Sequence, residues 1–395
     1  MRPRLQEQGI TIGGNITQFG FGLGGGIDRP VPPPFAGQGD VFSYTGRGEY
    51  QALVDLEKFG GMPQGKLLIG LQHWWGEYGN VSFRTGAFAP AIFPAALPPV
   101  PDREGIPMLT DFIVTQPLSK ELVLFAGKKN VIGAVDQDDF AGGNGIAQFM
   151  NQALIANPAF LLALPYSAMQ FGAVLPREWG AITVFAMDPQ DQTREFLRVD
   201  DLFSKGIILG GELKVKTNFF SLPGEQHLGG LWKNVEMTDL QFNFPPPGDY
   251  PEKPVPGFAT RWGSYTIYYG FDQYLQVYSE ETKRGWGLFG RASISDANPT
   301  PIHYFFSMGI GGYSPFGQCR GDTFGIGGFY VGASDEFGPI PRALLGPRDG
   351  MGLEVFYNFQ LTPAVNLTPD FQVLRPGTSI ADTSYIAGLR LNIKF

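Results

Sequence analysis

The chain has 395 residues, 55 of them glycine, with 14% aromatic and 17% charged residues, a mean hydropathy of -0.06 and a formal net charge of -8. Its longest apolar runs, such as residues 159–164, stop far short of the roughly 20 residues a spanning helix needs, so it is not a helical membrane protein. It has no basic run to attract nucleic acid, and its single cysteine, Cys319, excludes a disulfide framework or a cysteine-built metal site within the chain. A transmembrane β-barrel reconciles the rest. Its strands alternate apolar and polar residues, which holds mean hydropathy near zero, while aromatics gather in two interfacial girdles. Residues 1–10 lack the apolar core of a secretory signal, so an exported chain is expected either to be numbered from near its mature start or to have a misplaced start.

Alternation of period two predicts about sixteen strands: near 9–21, 47–58, 66–77, 109–116, 120–128, 167–175, 178–187, 206–218, 225–234, 262–278, 285–295, 302–313, 321–333, 349–360, 363–374 and 383–395. The connections sort strictly. Short turns are expected at 60–65, 117–119, 176–177, 219–224, 279–284, 314–320 and 361–362. Between them fall longer pieces at 22–46, 78–108, 129–166, 188–205, 235–261 and 334–348, with shorter members of that class at 296–301 and 375–382. Short turns at one end and long loops at the other describe an all-β, antiparallel, up-and-down outer-membrane barrel. The even count puts both termini on the short, periplasmic side and the long loops outside the cell. One such barrel domain is expected to span residues 1–395.

The face pattern is clearest at the end of the chain. Tyr385, Ala387, Leu389, Leu391, Ile393 and Phe395 are expected to face lipid, and Ser384, Gly388, Arg390, Asn392 and Lys394 a wet lumen. Pro32–Pro34 and Pro245–Pro247 read as polyproline pieces that stiffen loops. Residues 129–166 make a connection too long to be bare, with a helix-like stretch at 145–156. Such a loop is expected to fold into the lumen and constrict it.

At this point the residues resemble a known group, the carbohydrate-selective porin family of OprB-type glucose porins. The resemblance runs from about Leu5 to Phe395. It rests on Leu5-Gln-Glu-Gln-Gly-Ile10, on Asp55-Leu-Glu-Lys-Phe59 before Gly65-Lys66, and above all on the later motifs. These are Gly287-Leu-Phe-Gly-Arg-Ala292 with Asn298-Pro299, and Glu354-Val-Phe-Tyr357 with Leu367-Thr-Pro-Asp-Phe-Gln372. It implies a sixteen-stranded barrel in the bacterial outer membrane that passes monosaccharides such as glucose by diffusion, with no cofactor. The first, second and fifth long loops depart from the family by being Pro-rich and extended.

A sugar pore needs hydrogen-bonding groups for hydroxyls and flat apolar faces for the C–H side of the ring. By alternation Arg291, Glu354, Asp370, Gln372 and Arg390 face the lumen from late strands, and Arg47, Glu49, Gln51, Gln72 and Trp74 from early ones. Arg291, Glu354, Asp370 and Gln372 sit inside the family-like motifs. These side chains either meet sugar or form a structural ladder of ion pairs on the inner wall, and the sequence weights the two readings equally. Trp74 reads as a stacking platform and Trp75 as part of a girdle.

Other motifs dissolve. Residues 20–25 match a dinucleotide fingerprint, but Pro30 and Pro32 follow where a helix should begin, so no phosphate site forms. Asp136, Asp138, Asp139 and Asn144 suit a solvated acidic tip better than a Ca²⁺ site, because the spacing is not that of an EF-hand. His73, His227 and His303 fit no metalloprotease pattern, and no nucleophile sits beside a base, so no metal centre or enzyme is expected. The expected surroundings are outer-membrane lipids and lipopolysaccharide, with carbohydrate in the lumen. Monomer and homo-oligomer stay equally open. The competing functions are a plugged structural or adhesive barrel and a general diffusion porin.

Overall fold

The computed structural model describes residues 2–27, 42–241, 259–279, 284–316 and 321–395. Both polyproline pieces and Cys319 lie outside these residues. After a short helix α1 (Arg2–Glu7) come β1 (Ile10–Gly24), β2 (Phe42–Asp55), β3 (Lys66–Gly76), β4 (Met108–Ser119), β5 (Leu122–Asn130), β6 (Ser167–Arg177), β7 (Gly180–Met187) and β8 (Gly206–Phe219). They are followed by β9 (Leu222–Thr238), β10 (Thr260–Ser279), β11 (Arg284–Ser295), β12 (Ile302–Tyr313), β13 (Thr323–Ala333), β14 (Gly350–Gln360), β15 (Val365–Arg375) and β16 (Ser384–Lys394).

Each strand pairs antiparallel with its sequence neighbours, and β1 closes on β16 with Ile16 opposite Ile393 and Phe19 opposite Arg390. Closure leaves no sheet edge, the condition for strands to sit in hydrocarbon, where no water can satisfy a bare N–H or C=O. One end carries the short connections at 56–65, 120–121, 178–179, 220–221 and 361–364; the other carries 77–107, 131–166, 188–205 and 334–349. Lipid-facing positions read as the alternation requires. Tyr385, Leu389 and Ile393 on β16, and Leu353, Val355 and Phe359 on β14, are exposed, while Ser384, Arg390, Glu354 and Phe356 are buried within.

The glycine and aromatic excess has one explanation in the register. Trp75 lies across from Gly46, Phe185 from Gly210 and Phe271 from Gly290. Each ring lies over the bare backbone of its partner. A Cβ at Gly46 would meet Trp75 at 1.9 Å, and one at Gly290 would meet Phe271 at 2.5 Å. Cross-strand pairs are the unit of sheet stabilisation, and here the ring supplies the packing surface that glycine lacks.

The interior holds an apolar core instead of a plain water column. Phe140, Phe149, Met150 and Leu154 from residues 131–166, with Val81, Ala89 and Ile92 from residues 77–107, pack on the inner faces of the C-terminal strands. Phe149 packs edge-on against Phe289 and Phe356, with ring centroids 5.3 and 4.9 Å away. The helix-like stretch expected at 145–156 is corrected. The helical pieces are α2 (Gln152–Ile155) and α3 (Pro158–Leu162), later and shorter. Asn151 and Asn157 set these starts, because each side chain accepts a backbone N–H of the following turn.

Candidate functional site

The inward side chains converge on residues 131–166. Arg291 on β11 is the most heavily used. Its Nε donates to Asp136 Oδ1 at 3.1 Å, its Nη1 to the Leu154 carbonyl at 3.1 Å, and its Nη2 lies 2.6 Å from Asp138 Oδ2. The planar fork suits several acceptors at once, which a point-charge ammonium does not. His227 of β9 stands on the other side of the same two carboxylates, at 3.4 Å from Asp136 and 3.7 Å from Asp138. Asp136 continues the network: its Oδ2 accepts the Asn157 N–H at 2.6 Å, and its own N–H donates to Glu212 Oε2 at 2.8 Å. Burial pushes the Asp138 carboxyl up to about 7, against the opposing pull of Arg291 and His227.

A second grip lies on β14–β16. The two oxygens of Glu354 accept the N–H groups of Met150 at 2.6 Å and Asn151 at 2.8 Å. Gln372, opposite Glu354 in register, accepts from Asn151 Nδ2 at 3.0 Å and donates to the carbonyl of Ala91 at 2.9 Å and to Asp370 Oδ1 at 3.1 Å. Arg390 Nη1 donates to the carbonyls of Gly145 at 2.6 Å and Gln148 at 2.7 Å.

A third cluster comes from β2 and β3. Arg47 and Glu49 form an ion pair of 2.5 Å, and Glu49 also accepts from Gln72 at 3.1 Å and from Asn144 at 2.8 Å. Tyr166 donates to Gln72. Trp74 points inward and donates its indole N–H to the Val100 carbonyl at 3.1 Å, whereas Trp75 points outward and donates to the Tyr44 hydroxyl.

The sequence-derived residues thus do face inward, yet the connections cover most of them. Glu354, Gln372 and Arg390 are 0% exposed, and Trp74 is closed over by residues 77–107. Much of their hydrogen-bonding capacity goes to loop backbone, and the rest to neighbouring side chains such as Thr368 and Asp370. Gln51 alone of the ten stays exposed. Asp136 and Asp138 are directed at Arg291 and His227 instead of lying on a solvated tip. Sequence reasoning missed Asn151, Asn157 and Glu212, together with Tyr268, which donates to Glu212 at 2.9 Å, and Asp272, which accepts the Asp139 N–H at 3.2 Å. The available signal was local: two asparagines, each opening a short run of helix formers, with Pro158 directly after the second.

Beside the anchored loop lies a cavity of about 420 Å³, lined by Asn144, Gln148, Tyr274, Asn358, Gln360 and Asn366, with Asp138, Asp139 and Lys394 also on its wall. Amides offer both donors and acceptors at one site, and tyrosine adds a ring face, so the lining matches the two surfaces of a hydroxylated ring.

Comparison with known proteins agrees with this architecture. The profile of the carbohydrate-selective porin, OprB family, matches residues 41–395. The likeness read at residues 5–10 lies ahead of that match. No curated protein sequence matches the chain. Among solved structures, the high-pH structure of Pseudomonas putida OprB is similar over 100% of this chain and 96% of that one, at 17% identity and a TM-score of 0.80. The low-pH structure of the same protein covers 100% and 95%, at 12% identity and a TM-score of 0.57. At these identities the likeness speaks for the fold. Family and fold point to a channel and not an enzyme. With its profile match, its sixteen closed strands and its sorted loops, this chain belongs to the carbohydrate-selective porin family and is a sugar-selective porin of the bacterial outer membrane.

Proposed function

We propose that monosaccharides such as glucose cross through the space that residues 131–166 leave open, and that the buried wall residues act by fixing that loop. The observation that carries this is the pairing of a tightly held loop with the amide- and tyrosine-lined cavity beside it. The loop narrows the lumen, and Arg291, Glu354, Gln372, Arg390, Arg47 and Glu49 hold it. Asp370, Gln72 and Trp74 complete the packing behind them. Hydroxyls meet amide groups on a wall that also carries Asp138, Asp139 and Lys394, an array of hydrogen-bonding contacts that suits passage. Lipopolysaccharide is the proposed neighbour of the outer apolar band.

A plugged structural barrel is the second reading, favoured by the apolar core within the lumen. Liposome swelling separates the two. The porin admits glucose faster than a similar-sized amino acid, whereas a plugged barrel admits neither. Entry ordered by size alone would mean general diffusion.

A further inference from the structure

The lumen has a second chemistry on its opposite side. Below the loop a cavity of about 430 Å³ is lined by Leu68, Ile113, Phe125, Val135, Val174 and Phe185. These residues come from β3–β7 and from the loop, in the part of the barrel where a water-filled wall is ordinarily polar. Above the loop another cavity of about 430 Å³ is lined by Tyr78, Phe83, Phe88, Phe93 and Leu161, with no charged residue among its lining. Val131 and Leu164 line both and form the shared wall between the two chambers.

Charge distinguishes the inner chamber. Its charged lining residues, among those described, are Lys66 and Lys129. Lys66 is exposed. Lys129 Nζ lies 3.8 Å from Asp111 Oδ1, a loose pair that offsets its charge only in part, while the other oxygen, Oδ2, accepts from Asn130 Nδ2 at 2.7 Å and Thr110 Oγ1 at 2.8 Å. Two ammonium groups beside an apolar wall complement a ring that carries one negative charge: the ring leaves water against Phe125 and Phe185, and the anion rests near the lysines.

From this geometry we infer that the inner chamber binds small aromatic monoanions, which cross from the outer chamber past Val131 and Leu164. This goes beyond sugar passage and does not depend on it. The test is ion-current block of the full-length protein in planar bilayers. Benzenesulfonate, anionic at every working pH, is compared with ethanesulfonate, which has the same head and no ring. Benzenesulfonate should block at concentrations about tenfold lower than ethanesulfonate, the gain expected of burying one ring. The exposed substitution Lys66→Gln, alone and with Lys129→Gln, should remove most of that block and leave glucose block unchanged. Equal block by the two sulfonates would overturn the inference, as would undiminished benzenesulfonate block in the double variant. A parallel fall in glucose block would overturn it too, since the chamber would then not be separate. Selective benzenesulfonate block without any glucose block leaves this inference standing and defeats the sugar reading alone.

Discussion

At the scale of single residues, the wall charges are best understood as anchors. Arg291 with Asp136 and Asp138 is wholly buried, and a buried pair is costly to break because the remaining partner is left charged and unpaired. Arg291→Ala should therefore destabilise the seated loop by about 3–5 kcal/mol and raise single-channel conductance, and guanidinium unfolding together with bilayer recordings would show both. Arg291→Lys should recover part of this, because the ammonium keeps the charge and loses the fork. Asp138 gives a pH dependence. Its carboxyl titrates near 7 when the loop is seated and near 3.8 when it is released, so the seated state holds the proton more tightly. Seating is thus favoured at low pH and weakens as pH rises from about 4 through 7. Conductance should climb over that range, and Asp138→Asn should flatten the climb.

At the scale of elements, the strands were legible and the loop interior was not. A barrel wall imposes a period of two on every strand, because lipid and lumen alternate, and Glu354-Val-Phe-Tyr357 or the run from Ser384 carries that period in plain view. Inside the lumen no period applies. Residues 131–166 are shaped by single capping asparagines and by acceptors on distant strands such as Glu212 and Glu354, which no local pattern announces. The same reason hid the difference between facing the lumen and being open to it: alternation places Arg390 inward, but only the packed loop buries it. The wall itself makes two tests. Val355→Arg near the bilayer midplane should cost about 2–4 kcal/mol of assembly stability, while Gln51→Ala on the wet side should cost little; heat-modifiability gels would rank them. Gly46→Val should also impair assembly, because the new side chain enters the space of Trp75 across the register, and Gly46→Val with Trp75→Ala should relieve it.

At the scale of the whole molecule, the closed barrel solves the backbone problem of the membrane, and the proposed selectivity belongs to what is folded inside it. The two long connections at 77–107 and 131–166 meet there. The Phe93 N–H donates to the Met150 carbonyl at 2.9 Å and the Gln152 N–H to that of Pro90 at 3.0 Å, so the two are joined into one insert. Ordering so long a loop costs closure entropy, which the buried ion pairs and the apolar core offset. If that insert sets the width of the pore, the most direct measurement is single-channel conductance with glucose titration, before and after deletion of residues 142–158. That deletion removes the loop acceptors of Arg390 and the loop donors of Glu354 together. The account predicts a higher conductance and a weaker glucose block; unchanged conductance and block would contradict it, and would mean that the lumen is narrowed elsewhere.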